Sequence, residues 1–295
     1  MLEASPQGGI TVITDIGVDD ALALVLLDRL TPGRRKTIVP TFGNTKAEAI
    51  KKNARDFVAQ MPMSSGWYYY GQGIQLPLSG SITFSAEDYH GADGLWSIRP
   101  PKSAALLRAT NDIPQGQAIS LGPLTQAYEL LRKGTLEQLT LMGGYFRDES
   151  HPTIRPQANI RMDIDAAELF FADCTGVDVR VVPHNVTRQV YWTREMVEAA
   201  PSTSATAAWL KRLMQTWFEN CPYERFALHD PVAALLALEP DLASWTESGI
   251  RVRRDGNSDG ITELSQDNPI CSIATSLRDP SKVADHIFSL VFAGS

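Results

Sequence analysis

Short β-branched apolar runs alternate along the chain with longer stretches whose apolar residues recur at helical spacing. Ile10–Thr14 predicts a buried strand, followed by a tight Asp15-Ile16-Gly17 turn and a helix over 19–30. A second strand over 36–42 ends at Gly43-Asn44, and Ala47, Ile50, Ala54, Phe57 and Val58 mark a helix over 45–60. Segments 118–121, 139–142 and 177–182 read as further strands, with helices over 123–132, where Pro123 suits a first turn, and over 166–173. Strands separated by helices imply an α/β protein with a mostly parallel sheet covered on both faces. Beyond it, 193–238 has a helical pattern, 249–275 reads as short antiparallel strands around Asp255-Gly256-Asn257, and a last helix covers 282–292. Two polar segments without periodicity, 72–101 and 144–157, follow strand ends and read as lids or mobile linkers.

Composition narrows the class. With 295 residues, 43% hydrophobic and 21% charged, the chain can bury a large core, and one continuous sheet over 1–295 makes a single domain the starting expectation. A net charge of −7 disfavours general binding to nucleic acid or anionic membrane and leaves small or neutral ligands. Cys174, Cys221 and Cys271 are odd in number, widely spaced and in no Cys-x-x-Cys pair, so neither a disulfide framework nor a zinc ribbon is indicated, and a reducing cytoplasm is the expected location. Residues 1–9 lack the basic-then-apolar order of a signal peptide, and no apolar run approaches the roughly 18 residues of a membrane span.

The candidate chemistry begins at Asp15-Ile16-Gly17-Val18-Asp19-Asp20, three carboxylates where a strand gives way to a helix. Asp19 and Asp20 suit the N-terminus of that helix as caps. Asp15 is different, because it sits at a strand's carboxyl end, where open α/β sheets place ligands, and Gly17 permits close backbone approach. A hard cation with about six to eight oxygen ligands would then draw partners from other strand ends. Asn44 follows the second strand. Leu121-Gly122-Pro123-Leu124-Thr125 follows another, its Gly-Pro turn leaving the Leu121 carbonyl to face a ligand, and Met142-Gly143-Gly144 follows the next. His229-Asp230-Pro231 precedes an apolar helical run, so Asp230 is either a first-turn cap or a metal ligand.

Taken in order, these motifs resemble the inosine-uridine-preferring nucleoside hydrolases. The family opens with D-x-D-P-G-x-D-D-A-x-A; Asp15, Gly17, Asp19, Asp20, Ala21 and Ala23 match, while Ile13 stands for the first Asp and Ile16 for the Pro. Asn44 matches its G-N motif, His90-Gly91-Ala92-Asp93-Gly94-Leu95 its H-G-x-x-G-L loop, and Gly122-Pro123-Leu124-Thr125 its G-P-L-T-N, with Gln126 for Asn. Met142-Gly143-Gly144, Gln157-Ala158-Asn159-Ile160 (for E-F-N-I) and His229-Asp230-Pro231 complete the series.

The resemblance implies a single Rossmann-like α/β domain that removes the base from ribonucleosides, usually as a homo-dimer or homo-tetramer. It implies Ca2+ held by Asp15, Asp20, the Leu121 carbonyl and Asp230, with Asp15 as general base for the attacking water and His229 as proton donor to the leaving base. Asp19 would take the 2′-hydroxyl, with Asn159, Gln157 and Met142 on the ribose and Asn44 and His90 also at the substrate. Trp217 and Tyr223 fall where the family lines its base pocket, although an aromatic stripe on a helix also reads as packing, as Met142 alone reads as core. The run Arg251, Arg253, Arg254 reads as a solvated strand face. Gln157 in place of Glu removes a charge beside the ribose and keeps hydrogen-bonding capacity, so recognition of the 5′-hydroxyl is expected to change. The spacing from Met142 to Asn159 is one residue longer than the family's, which leaves its additional ribose-binding Asn unplaced near Ser150 and His151. Two rivals remain: a catalytically silent ribonucleoside- or ribose-binding protein, and a magnesium phosphohydrolase with Asp15 as nucleophile, which predicts a basic phosphate cradle that is not seen near Asp15.

Overall fold

The β-branched run at Ile10–Thr14 is β1 of a ten-stranded sheet in the computed structural model, which describes residues 8–61, 66–102, 107–147, 153–256 and 259–293. The chain then forms β2 (Lys36–Pro40), β3 (Trp67–Tyr70), β4 (Ala109–Thr110), β5 (Gly116–Ser120), β6 (Leu136–Met142) and β7 (Asp178–Val182). A separate ribbon pairs β8 (Tyr191–Thr193) with β9 (Arg225–Ala227), and β10 (Ala243–Val252), β11 (Thr262–Ser265) and β12 (Cys271–Leu277) close the series. The sheet order is β11-β10-β12-β7-β6-β5-β1-β2-β3-β4. Every neighbouring pair from β12 to β4 is parallel, and β10 runs antiparallel to both its neighbours. From β1 the chain steps outward to β4, then returns to β5 on the other side of β1. The order therefore reverses between β1 and β5, and in an open parallel sheet ligands bind beyond the strand carboxyl ends at that reversal.

The predicted elements lie near the observed ones; β8 and the helical turns Ala158–Arg161 and His184–Thr187 are additions, β10 starts earlier than expected, and four further differences bear on the site. β3 and β4 are absent from the sequence reading, because a four-residue aromatic run and a two-residue edge strand carry no period to detect. The helical pattern over 193–238 breaks into helices Arg194–Ala199, Ala205–Asn220 and His229–Leu236 with β9 between the last two. Among the supposed antiparallel strands, β12 also joins β7 in parallel register. The 72–101 stretch contains a turn of helix at Glu87–His90, which fixes His90 instead of leaving it on a free lid. Ser150 and His151 lie outside the described residues, as do Asn257 of the expected turn and residues 1–7.

The helix Val18–Leu30 is buried continuously from Val18 to Asp28 and packs against His229–Leu236, which is buried from Asp230 onward. A helix apolar on all sides belongs in the middle of a core, and this one passes its position on to the residues of its first turn. Ile13, where the resembled family has its first Asp, is fully buried among apolar residues. Arg251 and Arg253 pair with Glu263 at 2.8 and 3.4 Å, and Arg254 with Glu168 at 2.6 Å, on exposed strand and helix faces, as expected. Among the described residues, no helix is long and apolar enough to cross a membrane.

Candidate active site

β1 delivers Asp15 to the sheet's carboxyl edge, and the chain turns at once into a helix whose first turn carries Asp19 and Asp20. The turn is tight. Ile16, buried and β-branched, takes a φ of 25°, a left-handed conformation that costs about 1–3 kcal/mol and concentrates at functional sites. A proline, with φ held near about −65°, does not fit this turn, so the Ile for Pro departure has a conformational basis. Gly17 is required by close approach: a Cβ there would collide with the His90 ring and lie 2.6 Å from Asn44 Nδ2. Gly43, at φ +154°, leaves room for the Asp15 carboxylate, which any side chain would strike.

Each carboxylate is held. The Asn44 backbone N–H donates to Asp15 Oδ2 at 2.8 Å. Asp20 accepts from the Gly17 N–H at 2.7 Å, from Asn44 Nδ2 at 3.2 Å and from the Thr14 hydroxyl. It therefore caps the helix, as the structural reading expected, and also faces the cluster. Asp230 joins from the first turn of the helix His229–Leu236, so two helix N-termini bring their positive ends to one place. Oxygens of Asp19, Asp20 and Asp230 lie within 4.8 Å of one another. Two oxygens on one calcium, each at about 2.3–2.6 Å, lie no more than about 5 Å apart, so the trio fits a shared cation.

Electrostatics agree with that fit. Burial, then the charges of Asp20 and Asp19, raises Asp15 well above the ordinary carboxylate range. Burial, then Asp19, Asp20 and Asp15, does the same to Asp230. Asp19 is pushed up to about 8 by burial and by Asp20, while burial raises Asp20 against the opposing hydrogen bonds from Thr14 and Gly17. Four buried carboxylates that repel one another stay ionised together at neutral pH when a divalent cation lies among them. Asp15 differs from the expected ligand set, because it stands beside the tight trio and Asp19 stands within it.

A cavity of about 450 Å³ opens next to this cluster. Asp19, Asp230, Asn44 and His90 line one end. His90 Nδ1 accepts from the Val18 N–H at 3.1 Å, which ties the ring to the helix start, and burial lowers the imidazole to about 3. Leu121, Met142, Gln157 and Asn159 form a second wall. The Leu121 carbonyl is not free as the Gly-Pro turn suggested: Asn159 Nδ2 donates to it at 2.7 Å and to the Met142 carbonyl at 2.9 Å. One lone pair of the Leu121 oxygen remains. Gln157 caps the short helix Ala158–Arg161, accepting from the Ile160 N–H at 3.3 Å, and its Nε2 donates to Met142 Sδ at 3.4 Å.

The third wall comes from residues that the sequence reading mostly passed over. His229 lines it beside His184 and Tyr145. The two imidazoles stack at 4.8 Å and 26°, Tyr145 leans on His184 at 4.8 Å, and Arg188 Nη1 donates to the Tyr145 hydroxyl at 3.1 Å. His229 Nδ1 lies 2.8 Å from Thr187 Oγ1. Burial first, then His184, His90 and Arg188, lowers His229 to about 3, so its ring is neutral here. The strand-end rule applied after β7 would have found His184 and Thr187, which occupy the helical turn beginning at its carboxyl end. Trp217 and Tyr223 are not among the lining residues. Trp217 is fully buried against Tyr89, Phe218 and Phe226, and Tyr223 lies 55% exposed and stacked on Trp217 at 5.9 Å. From this aromatic cluster it is Tyr89 that reaches the cavity.

Comparison with known proteins gives the same direction. The family model described as inosine-uridine preferring nucleoside hydrolase matches residues 10–285. Probable uridine nucleosidase 2 of Oryza sativa subsp. japonica is 25% identical over 298 residues, covering 88% of this chain and 85% of that protein. The non-specific ribonucleoside hydrolase RihC of Escherichia coli (strain SE11) is 24% identical, covering 86% of this chain and 87% of its own. The solved purine-preferring ribonucleoside hydrolase from Gardnerella vaginalis shares the fold at a TM-score of 0.78 and 18% identity, over 96% of this chain and 98% of that one. With the family model spanning nearly the whole sheet and every strand end that bears a candidate residue, the chain belongs to the inosine-uridine preferring nucleoside hydrolase family, enzymes that act on the N-glycosyl bonds of ribonucleosides.

Proposed function

We propose that this protein hydrolyses the N-glycosidic bond of ribonucleosides, releasing free base and ribose, with Ca2+ as its metal. The observation that carries the reading is the convergence of Asp15, Asp19, Asp20 and Asp230 beside a cavity whose other wall presents His229. Asp20 and Asp230 from the tight trio, with Asp15 beside it and the remaining lone pair of the Leu121 carbonyl, would hold the ion, and Asp19, the third member of the trio, would be shared between the ion and the ribose. Calcium, when bound, orients the attacking water and lowers its pKa.

The chain's own residues do the rest. Asp15 Oδ1, left by the Asn44 contact to Oδ2, accepts the proton of the attacking water. Asp19 accepts from the 2′-hydroxyl, and the Asn159 amide and Gln157 hold the far side of the ribose. Bond cleavage passes through an oxocarbenium-like transition state, in which positive charge on the ribose gains from the surrounding carboxylates. His229 faces the leaving base as its proton donor: its ring rests neutral and passes on a proton taken up from solvent as charge develops on the departing base, with Thr187 holding Nδ1 so that Nε2 is the atom presented to the cavity. The relatives named as uridine nucleosidases and a non-specific ribonucleoside hydrolase make uridine and inosine the first substrates to try.

The test is release of reducing sugar from a panel of purine, pyrimidine and modified nucleosides, before and after calcium chelation. Chelator-sensitive release that returns with added Ca2+ is expected. No release from any nucleoside while the protein still binds calcium would favour the silent ribonucleoside-binding reading, and release indifferent to chelation would remove the metal from the proposal.

A further inference from the structure

The charge along the cavity is uneven. Among the described residues that line it, the acids are Asp19 and Asp230, both at the carboxylate cluster, and the only Lys or Arg is Arg155. Arg155 is exposed to the cavity and has no ion-pair or hydrogen-bond partner among the described residues. A permanently charged, planar fork of donors left unpaired in a binding cavity is suited to a bidentate anion. Around it the described residues of the wall supply donors and no negative charge. Thr153 offers a hydroxyl, and Gln157, with Oε1 engaged by the Ile160 N–H and one amide hydrogen by Met142 Sδ, retains the other amide hydrogen to give. On the adjoining wall, Arg188 is close enough to lower His229 and adds positive potential.

Orientation follows from the reading above, on which this inference rests. A ribonucleoside with its 2′,3′-diol at Asp19 and the metal, and its base toward His229 and His184, has one direction left for C5′. That direction is the wall of Met142, Gln157 and Arg155. We propose that the site accepts ribonucleosides bearing an anionic 5′ substituent, a phosphate monoester or a carboxylate, with Arg155 binding the anion. The reaction balances without any further reactant: water adds to C1′, the C1′–N bond breaks with its electron pair going to the base, the base takes up a proton, and the 5′-phosphate leaves unchanged on ribose 5-phosphate.

The experiment compares base release by the calcium-loaded protein from uridine, uridine 5′-monophosphate and the 5′-carboxylic acid of uridine, at low and at 0.3 M salt. The expected result is a kcat/KM at least ~10-fold higher for the phosphate than for uridine at low salt, as a specific cation–anion contact gives, with the advantage shrinking as salt screens it. Arg155→Ala should lower the phosphate-to-uridine ratio to near one, with Arg155→Lys between. A carboxylate handled like the phosphate supports a general 5′-anion site, and one handled like uridine supports a phosphate site. A wild-type ratio at or below one, or a ratio that Arg155→Ala leaves unchanged, overturns the proposal. If no compound releases base, the hydrolase reading fails first, and calorimetric binding decides the anion site: ribose 5-phosphate bound ~10-fold more tightly than ribose, with the difference lost in Arg155→Ala, upholds it, and equal binding overturns it.

Discussion

At the carboxylate end of the cavity, Asp19 and Asp230 come from the first turns of two helices buried in the core, whereas elsewhere along it Tyr145, Gln157 and Arg155 come from connecting chain and His184 from a single helical turn. The first end is rigid because moving a carboxylate means moving a helix that packs on all sides. Beside them the oxygens of Asp15 and Asp20 are held by Thr14, Gly17 and Asn44, and even the turn that places them carries a left-handed isoleucine. The second end is built from side chains stacked or bonded pairwise, His184 on His229 and Arg188 on Tyr145, over a scaffold of loops. Reaction chemistry tolerates little displacement, and recognition is adjusted by changing loop residues. On the proposed function, the contrast assigns the constant step to one end and the choice of substrate to the other.

Substitutions at the two ends should therefore fail differently. The largest effect belongs to Asp15→Asn, which removes the proposed proton acceptor and a negative charge beside the proposed metal. Turnover should fall by about 10³-fold or more for every substrate, since general-base catalysis alone is worth about 10²–10⁴-fold. Single-turnover base release from uridine and inosine checks it, with circular dichroism to confirm folding. Near-normal kcat on either substrate would take Asp15 out of the reaction.

Next in size is His229→Ala, which sits between the two ends. A loss of about 10²-fold is expected on inosine, whose base departs with help from a proton, and much less on p-nitrophenyl riboside, whose leaving group needs none. Equal losses on both would make His229 structural. Thr187→Val extends the same logic one bond further out. Valine keeps the shape and removes the 2.8 Å contact to Nδ1, so the ring loses its fixed orientation. About a tenfold fall in kcat on inosine, little change in KM and recovery in Thr187→Ser mark a positioning role, and an equal fall on p-nitrophenyl riboside would contradict it.

The same contrast explains what could be read from the sequence alone. The rigid end is written in local signals: a β-branched strand, an acidic turn, an apolar helix, and His229-Asp230-Pro231 before another apolar run. Each arises from short-range chemistry, and the strand-end rule links them across the chain. The other walls of the cavity depend on partners distant in sequence. Nothing local to Thr187 says that it meets His229 42 positions away, and nothing local to Leu121 says that Asn159 occupies one side of its carbonyl. The two-residue β4 was unreadable for a related reason, since only its pairing with β3 defines it.

The smallest effect is expected at Tyr223, and it settles how the aromatic cluster is divided. Trp217 and Tyr223 share one stack, yet the first is wholly enclosed and the second is 55% exposed, with Tyr89 between them and the cavity side. Tyr223→Ala should change KM for uridine or inosine by less than about twofold and stability by no more than about 0.5 kcal/mol, the range of an ordinary surface position. Thermal unfolding and initial rates on both substrates measure the pair of effects together. A KM raised several-fold at unchanged stability would mean that Tyr223 swings over the base once substrate is bound, and the loop-built end of the cavity would then include the segment between Cys221 and β9.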